Sequence, residues 1–99
     1  MGSWWFLMSK NVYEMLKTVP YNNVSLLADI VTEEMQEQKF KIHDIAIMSE
    51  YLSYLIDVIG GNNPQYTLKD LRERELTKDK QEAFNKIIIK SINKYHEKY

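Results

Sequence analysis

No cysteine occurs anywhere in the chain. That excludes a disulfide scaffold, a cysteine nucleophile and any thiolate metal site. It is compatible with a reducing compartment, and the cytoplasm is the expected location. Glycine and proline are scarce as well, three and two residues respectively. Only Gly60-Gly61 followed by Asn62-Asn63-Pro64 forms a dense turn cluster, whereas a sandwich or barrel of many short strands needs far more turn chemistry. Long apolar runs are missing too. The longest, Ile45 to Ile59, is interrupted by Glu50 and Asp57 and reads as a buried helix rather than a membrane span. The apolar opening Trp4-Trp5-Phe6-Leu7-Met8 is too short for a secretory signal and has no basic region before it.

The motifs of chemistry are equally sparse. There is no Gly-rich phosphate loop, no nucleophile elbow and no zinc-binding helix motif. A carboxylate-bridged di-metal bundle needs Glu-x-x-His pairs, and the chain contains none. Of two histidines, His43 stands beside Asp44. Even with Glu37 or Glu50 added, the ligands are too few, so His43 reads as a polar residue at a helix start. His96 sits near a helix C-terminus, where a cation is mildly favoured by the helix dipole. The expectation is a protein with no metal, no cofactor and no catalytic centre.

What is present is the composition of an ordinary globular domain: 99 residues, 44% apolar, 27% charged and a net charge of −1. A chain of this size buries about 60–65% of the surface its unfolded form exposes, enough for one core. Residues 9–99 are expected to form one helical domain and 1–8 a tail, in which Met1-Gly2-Ser3 resembles a cloning remnant. Lys, Ile, Asn and Tyr, whose codons are AT-rich, supply more than a third of the residues. That usage suggests a low-GC genome, or a phage or plasmid within one.

Apolar periodicity predicts four helices and a short fifth one. Ser9 caps the first, Met8 and Tyr13 staple it, and Val12, Met15, Leu16 and Val19 recur at i, i+3, i+4, i+7. Pro20 ends it. Asn22 or Asn23 caps the second, whose stripe is Val24, Leu27, Val31 and Met35, widened by Leu26 and Ile30. Glu33, Glu34 and Glu37 fall on its outer side as a solvated face, and it frays near 38–41. The third helix, Ile42 to Ile59, has one apolar stripe of Ile45, Met48, Leu52, Leu55 and Ile59. A second consists of Ile47, Tyr51, Tyr54 and Val58. Its third stripe, His43, Ala46, Glu50, Ser53 and Asp57, is polar or small. Thr67 and Asp70 form a capping box for the short helix. Thr77 caps the last helix, whose stripe is Phe84, Ile88, Ser91 and Tyr95, widened by Ile87, Ile92 and Tyr99. Ile87-Ile88-Ile89 is β-branched but finds no pairing partner, so it reads as helix. The fold class expected is a small all-α bundle.

A helix with two apolar faces must be covered on both. The other helices can enclose one face of the third. That leaves Ile47, Tyr51, Tyr54 and Val58 as the expected protein interface, used most simply in a two-fold homodimer. Seven tyrosines in the chain agree with an interaction surface, because tyrosine supplies large contact area at low entropy cost. The function read from the sequence is therefore a small non-enzymatic protein-interaction module. Accessory or inhibitor proteins of phages and mobile elements share this size and composition. The alternative starts from charge. Residues 29–50 hold six acids and two lysines, and residues 77–99 hold six lysines and three acids. Lys86, Lys90, Lys94 and Lys98, four apart along one side of the last helix, could contact nucleic-acid phosphates. With a net acidic chain, only two arginines and no glycine turn of a helix-turn-helix, packing against the acidic helices is the stronger expectation.

Overall fold

The structure is a computed structural model, and it describes residues 11–99. The Ser9 cap, the Met8–Tyr13 staple, the tail and its aromatic opening lie outside the described residues. Helix α1 covers 11–16 within them. A 3-10 turn, Tyr21–Asn23, leads into α2 (Val24–Glu37), followed by α3 (Ile42–Ile59), the short α4 (Leu68–Glu73) and α5 (Lys78–Lys98). The fold is a small all-α bundle, with no strand among the described residues.

The ends of these helices follow local chemistry. The Thr67 hydroxyl accepts from the Asp70 amide at 3.1 Å while the Asp70 carboxylate accepts from the Thr67 amide at 3.0 Å. The bond from the Thr67 amide, helped by the nearby Thr67 hydroxyl, holds the Asp70 carboxyl below the usual carboxylate range. The Thr77 hydroxyl caps α5 through the Lys80 amide. Three helices stop in the same way, with a left-handed residue just past the end and two backward amide bonds, the Schellman arrangement. Gly61 does this for α3 (φ 75°), with the Gly61 and Asn62 amides bonded to the Val58 and Asp57 carbonyls. Lys39 (φ 61°) does it for α2, so the expected fraying at 38–41 is instead a defined stop. Glu75 (φ 82°) does it for α4, bringing Leu76 back against Leu71, both fully buried.

Helices α2 and α5 pack antiparallel. Asn23, at the start of α2, donates from Nδ2 to the Tyr95 hydroxyl at 2.6 Å, near the end of α5. Phe40, beyond the end of α2, packs in a tilted arrangement against Phe84 near the start of α5, ring centres 6.3 Å apart. Asn23 does occupy the capping position of α2, but this tertiary bond takes its side chain and leaves no cap bond. Helix α5 is the most deeply packed element, burying Phe84, Ile87, Ile88, Ile92 and Tyr95. The β-branched triplet is thus helical.

Two expectations are corrected here. The second stripe of α3 is covered within the chain. Tyr51 is buried against α5, where its hydroxyl donates to Asn85 Oδ1 at 2.6 Å. Ile47 is also buried, at the side where α4 ends. Tyr54 is half-buried, with Tyr13 of α1 beside it, and only Val58 is exposed, at 39%. Sequence reasoning undercounted the cover because α4 and the first turns of α5 both reach this face. The acidic face of α2 is likewise not wholly solvated. Glu34 is 2% exposed and paired with Lys90 Nζ at 3.3 Å and with Lys94.

Candidate functional site

The side of α2 and α3 turned away from α5 carries an open seam with an apolar floor. The two helices are joined by a short turn and carry small residues where they face each other. Ala28 and Thr32 stand on α2, and Ser49 and Ser53 on α3. With such short walls the seam does not close. It forms a groove of about 300 Å³ floored by Val24, Val31, Met48, Leu52 and Ile56. A second depression, about 190 Å³, continues it toward the ends of α1 and α3, lined by Leu16, Val19, Leu27, Ile59 and Gly60. The two share Tyr21, Val24 and Ile56. Tyr21 is 72% exposed at this junction. Ile42, 86% exposed, begins the same helix that forms the α3 wall.

Two of the wall hydroxyls are already satisfied locally. The Thr32 hydroxyl donates to the Ala28 carbonyl at 2.9 Å and the Ser49 hydroxyl to the Ile45 carbonyl at 3.1 Å. Short side chains of this kind turn back onto their own helix. The groove thus joins an aliphatic floor to polar walls and Asp57, and covering it would strand neither of these hydroxyls. From Ser49 to Gly60 the α3 wall runs about 16 Å at 1.5 Å per residue, the length of three helical turns.

Acids outnumber bases around the groove; Lys17, 3.6 Å from Glu14, is the cation that lines the second depression. Helices α2 and α3 contain Asp29, Glu33, Glu34, Glu37, Asp44, Glu50 and Asp57 and no lysine or arginine. Three of these acids are neutralised inside the fold: Glu34 by α5, Asp44 by Lys80 at 3.0 Å, and Glu50 by Arg74 at 3.0 Å. Asp29, Glu33, Glu37 and Asp57 have no ion-pair partner among the described residues. Asp57 lines the groove itself. Asp29 is exposed and follows the groove-lining Ala28 around the outside of α2.

The lysine row is divided by the fold. Lys90 and Lys94 turn onto Glu34, while Lys86 and Lys98 have no ion pair among the described residues, Lys98 lying over the Tyr99 ring. His43 Nε2 lies 2.9 Å from Glu75 Oε2, and His96 Nε2 lies 2.7 Å from the Thr18 hydroxyl, each tying two elements together at the surface. No group of three or more metal-ligating side chains converges among the described residues. No helix is long and apolar enough to cross a membrane, among the described residues.

Beneath these surfaces lies one buried polar cluster. Gln81 Nε2 donates to the Tyr51 hydroxyl at 3.4 Å, and that hydroxyl donates to Asn85 Oδ1. Burial pushes the Tyr51 phenol up to about 12, against the lowering effect of these two amides. Burial and the neighbouring Tyr54 raise the Tyr13 phenol as well. The cluster is enclosed by core residues and offers no path for a substrate, so it orders the α3–α5 contact. Sequence reading missed Ala28, Ser49 and Ile56 as groove residues. The available signal was Ser53 and Asp57 on the polar or small stripe of α3, whose Ala46 lies instead beside His43 and Arg74. No protein-family model, curated protein or solved structure matches the chain.

Proposed function

We propose that the protein is a non-enzymatic protein-interaction module that captures its partner in the groove between α2 and α3. The observation that carries this reading is the groove itself, apolar along its floor, closed to no solvent and walled by small residues whose wall hydroxyls, Thr32 and Ser49, are internally satisfied. An open apolar surface of this kind marks an interaction site. The function is the one expected from the sequence, while the surface moves from Ile47, Tyr51, Tyr54 and Val58 to the opposite flank of α3. A reducing compartment such as the cytoplasm, and an accessory role in a phage or mobile element, complete the proposal on composition alone. The nucleic-acid reading is weaker, because Glu34 engages two of the four lysines it needs.

Site-specific photo-crosslinking tests the proposal. A benzophenone side chain at Ser53, inside the groove, should trap one discrete adduct in host cells. The same probe at Glu97, exposed on α5, should trap none. Adducts at Glu97 but not at Ser53 would refute it.

A further inference from the structure

Resting on that reading, we infer that the occupant of the α2–α3 groove is a basic amphipathic helix of a partner protein. Two observations choose it. The first is shape. A floor of Val24, Val31, Met48, Leu52 and Ile56 between walls low at Ala28, Thr32, Ser49 and Ser53 leaves room for the side chains of a third helix laid along it. An extended strand would need unpaired backbone groups as its partners, and helices α2 and α3 have theirs internally bonded. A helix instead lays side chains at i, i+4 and i+7 onto such a floor. About 16 Å of groove holds about three turns, so three such anchors suffice.

The second is charge. Four acids of these two helices, Asp29, Glu33, Glu37 and Asp57, have no ion-pair partner among the described residues, and Asp57 lies in the groove with Asp29 beside it. Every lysine or arginine that meets α2 or α3 in an ion pair is already engaged with Glu34, Asp44 or Glu50. An occupant carrying Lys or Arg on the flanks of its apolar stripe completes these pairs. A second copy seated on the same face brings Asp29 and Asp57 against their own kind, and like charges placed together oppose association. The apolar floor supplies the affinity, and the acidic rim sets which helices are admitted.

Three 16-residue peptides provide the test, each with a leucine stripe and with lysine, glutamine or glutamate elsewhere. Fluorescence anisotropy measures their binding to the full chain. The leucine–lysine peptide should bind at least tenfold tighter than the leucine–glutamate one, with the glutamine peptide between. Ala28→Trp should abolish binding by filling the groove. Ser53→Trp, at an exposed wall position, should do the same and covers the case in which Ala28→Trp does not fold. Asp29→Asn with Asp57→Asn should weaken the lysine peptide about threefold to tenfold, as two exposed charge pairs allow, and leave the glutamine peptide unchanged. Equal binding of all three peptides, lost in Ser53→Trp, would overturn the basic occupant and leave the groove reading standing. Binding indifferent to both tryptophan variants, or no binding, would overturn both. A dimer by light scattering that Ser53→Trp converts to monomer would make a second copy the occupant and overturn the partner helix. So would binding that appears only after Trp4→Ser and Trp5→Ser, which would assign the groove to the chain's own opening segment.

Discussion

Glu34 brings a carboxylate into the packed seam between α2 and α5, and the two lysines that meet it are each about half exposed. The asymmetry decides what a substitution costs. Removing both lysines leaves a buried charge without compensation, so Lys90→Ala with Lys94→Ala should destabilise by about 3 kcal/mol. Glu34→Gln keeps the shape and frees the lysines to turn into water, and should cost only about 1 kcal/mol. Urea unfolding of the two variants checks the order, and a glutamine variant weaker than the double-lysine variant would contradict it. Tyr51 poses a similar question for a neutral group. Tyr51→Phe leaves Asn85 Oδ1 and Gln81 Nε2 without their partner and should cost about 1–3 kcal/mol at neutral pH. In the native protein the folded phenol titrates near 12 against an ordinary value of 10. The unfolded state therefore loses its proton first, and stability falls as pH rises from 10 through 12. Alkaline unfolding of Tyr51→Phe should show a shallower fall over that window than the wild type does.

Helix ends offer a paired prediction. Lys39 and Gly61 occupy the same left-handed position in equivalent stops, one with a side chain and one without. Lys39→Gly should stabilise by about 0.5 kcal/mol, relief of backbone strain being partly offset by the freer unfolded chain. Gly61→Ala should destabilise by about 1 kcal/mol. An added Cβ there meets nothing within 4 Å, so strain is the whole cost. Thermal melts of the two variants should move in opposite directions. The helices themselves were legible in the sequence. The 3.6-residue periodicity gave α3 its observed bounds, and Thr67, Thr77 and Gly60-Gly61 marked starts and stops by local chemistry. The left-handed stops at Lys39 and Glu75 were not legible, because tertiary packing of Phe40 and Leu76 holds residues there that have no preference for that backbone. The groove was half legible. The small stripe of α3 was visible, but which neighbour it would face depends on helix pairing. The burial of Glu34 was hidden for the same reason, since only the antiparallel course of α5 brings Lys90 and Lys94 over it.

For the whole molecule, the groove floor is the outer edge of the core, since Val31, Met48 and Leu52 belong to it, while the exposed wall residues Ser49 and Ser53 let the groove be tested without unfolding the protein. Phe84 joins the α2–α3 turn, α3 and α5 through its contacts with Phe40 and Tyr51. Phe84→Ala should therefore destabilise the entire bundle by about 3–5 kcal/mol, read from denaturant melts. Ser53→Trp, on an exposed wall, should change stability by about 0.5 kcal/mol or less. The most direct measurement of the central claim is a titration of the isotope-labelled full chain with the leucine–lysine helix, followed by amide chemical shifts in a two-dimensional NMR spectrum. The account predicts shifts confined to residues 16–32 and 48–60, with α5 unmoved. Shifts concentrated along α5 at Lys86, Lys90, Lys94 and Lys98, or at Ile47 and Tyr51, would contradict it.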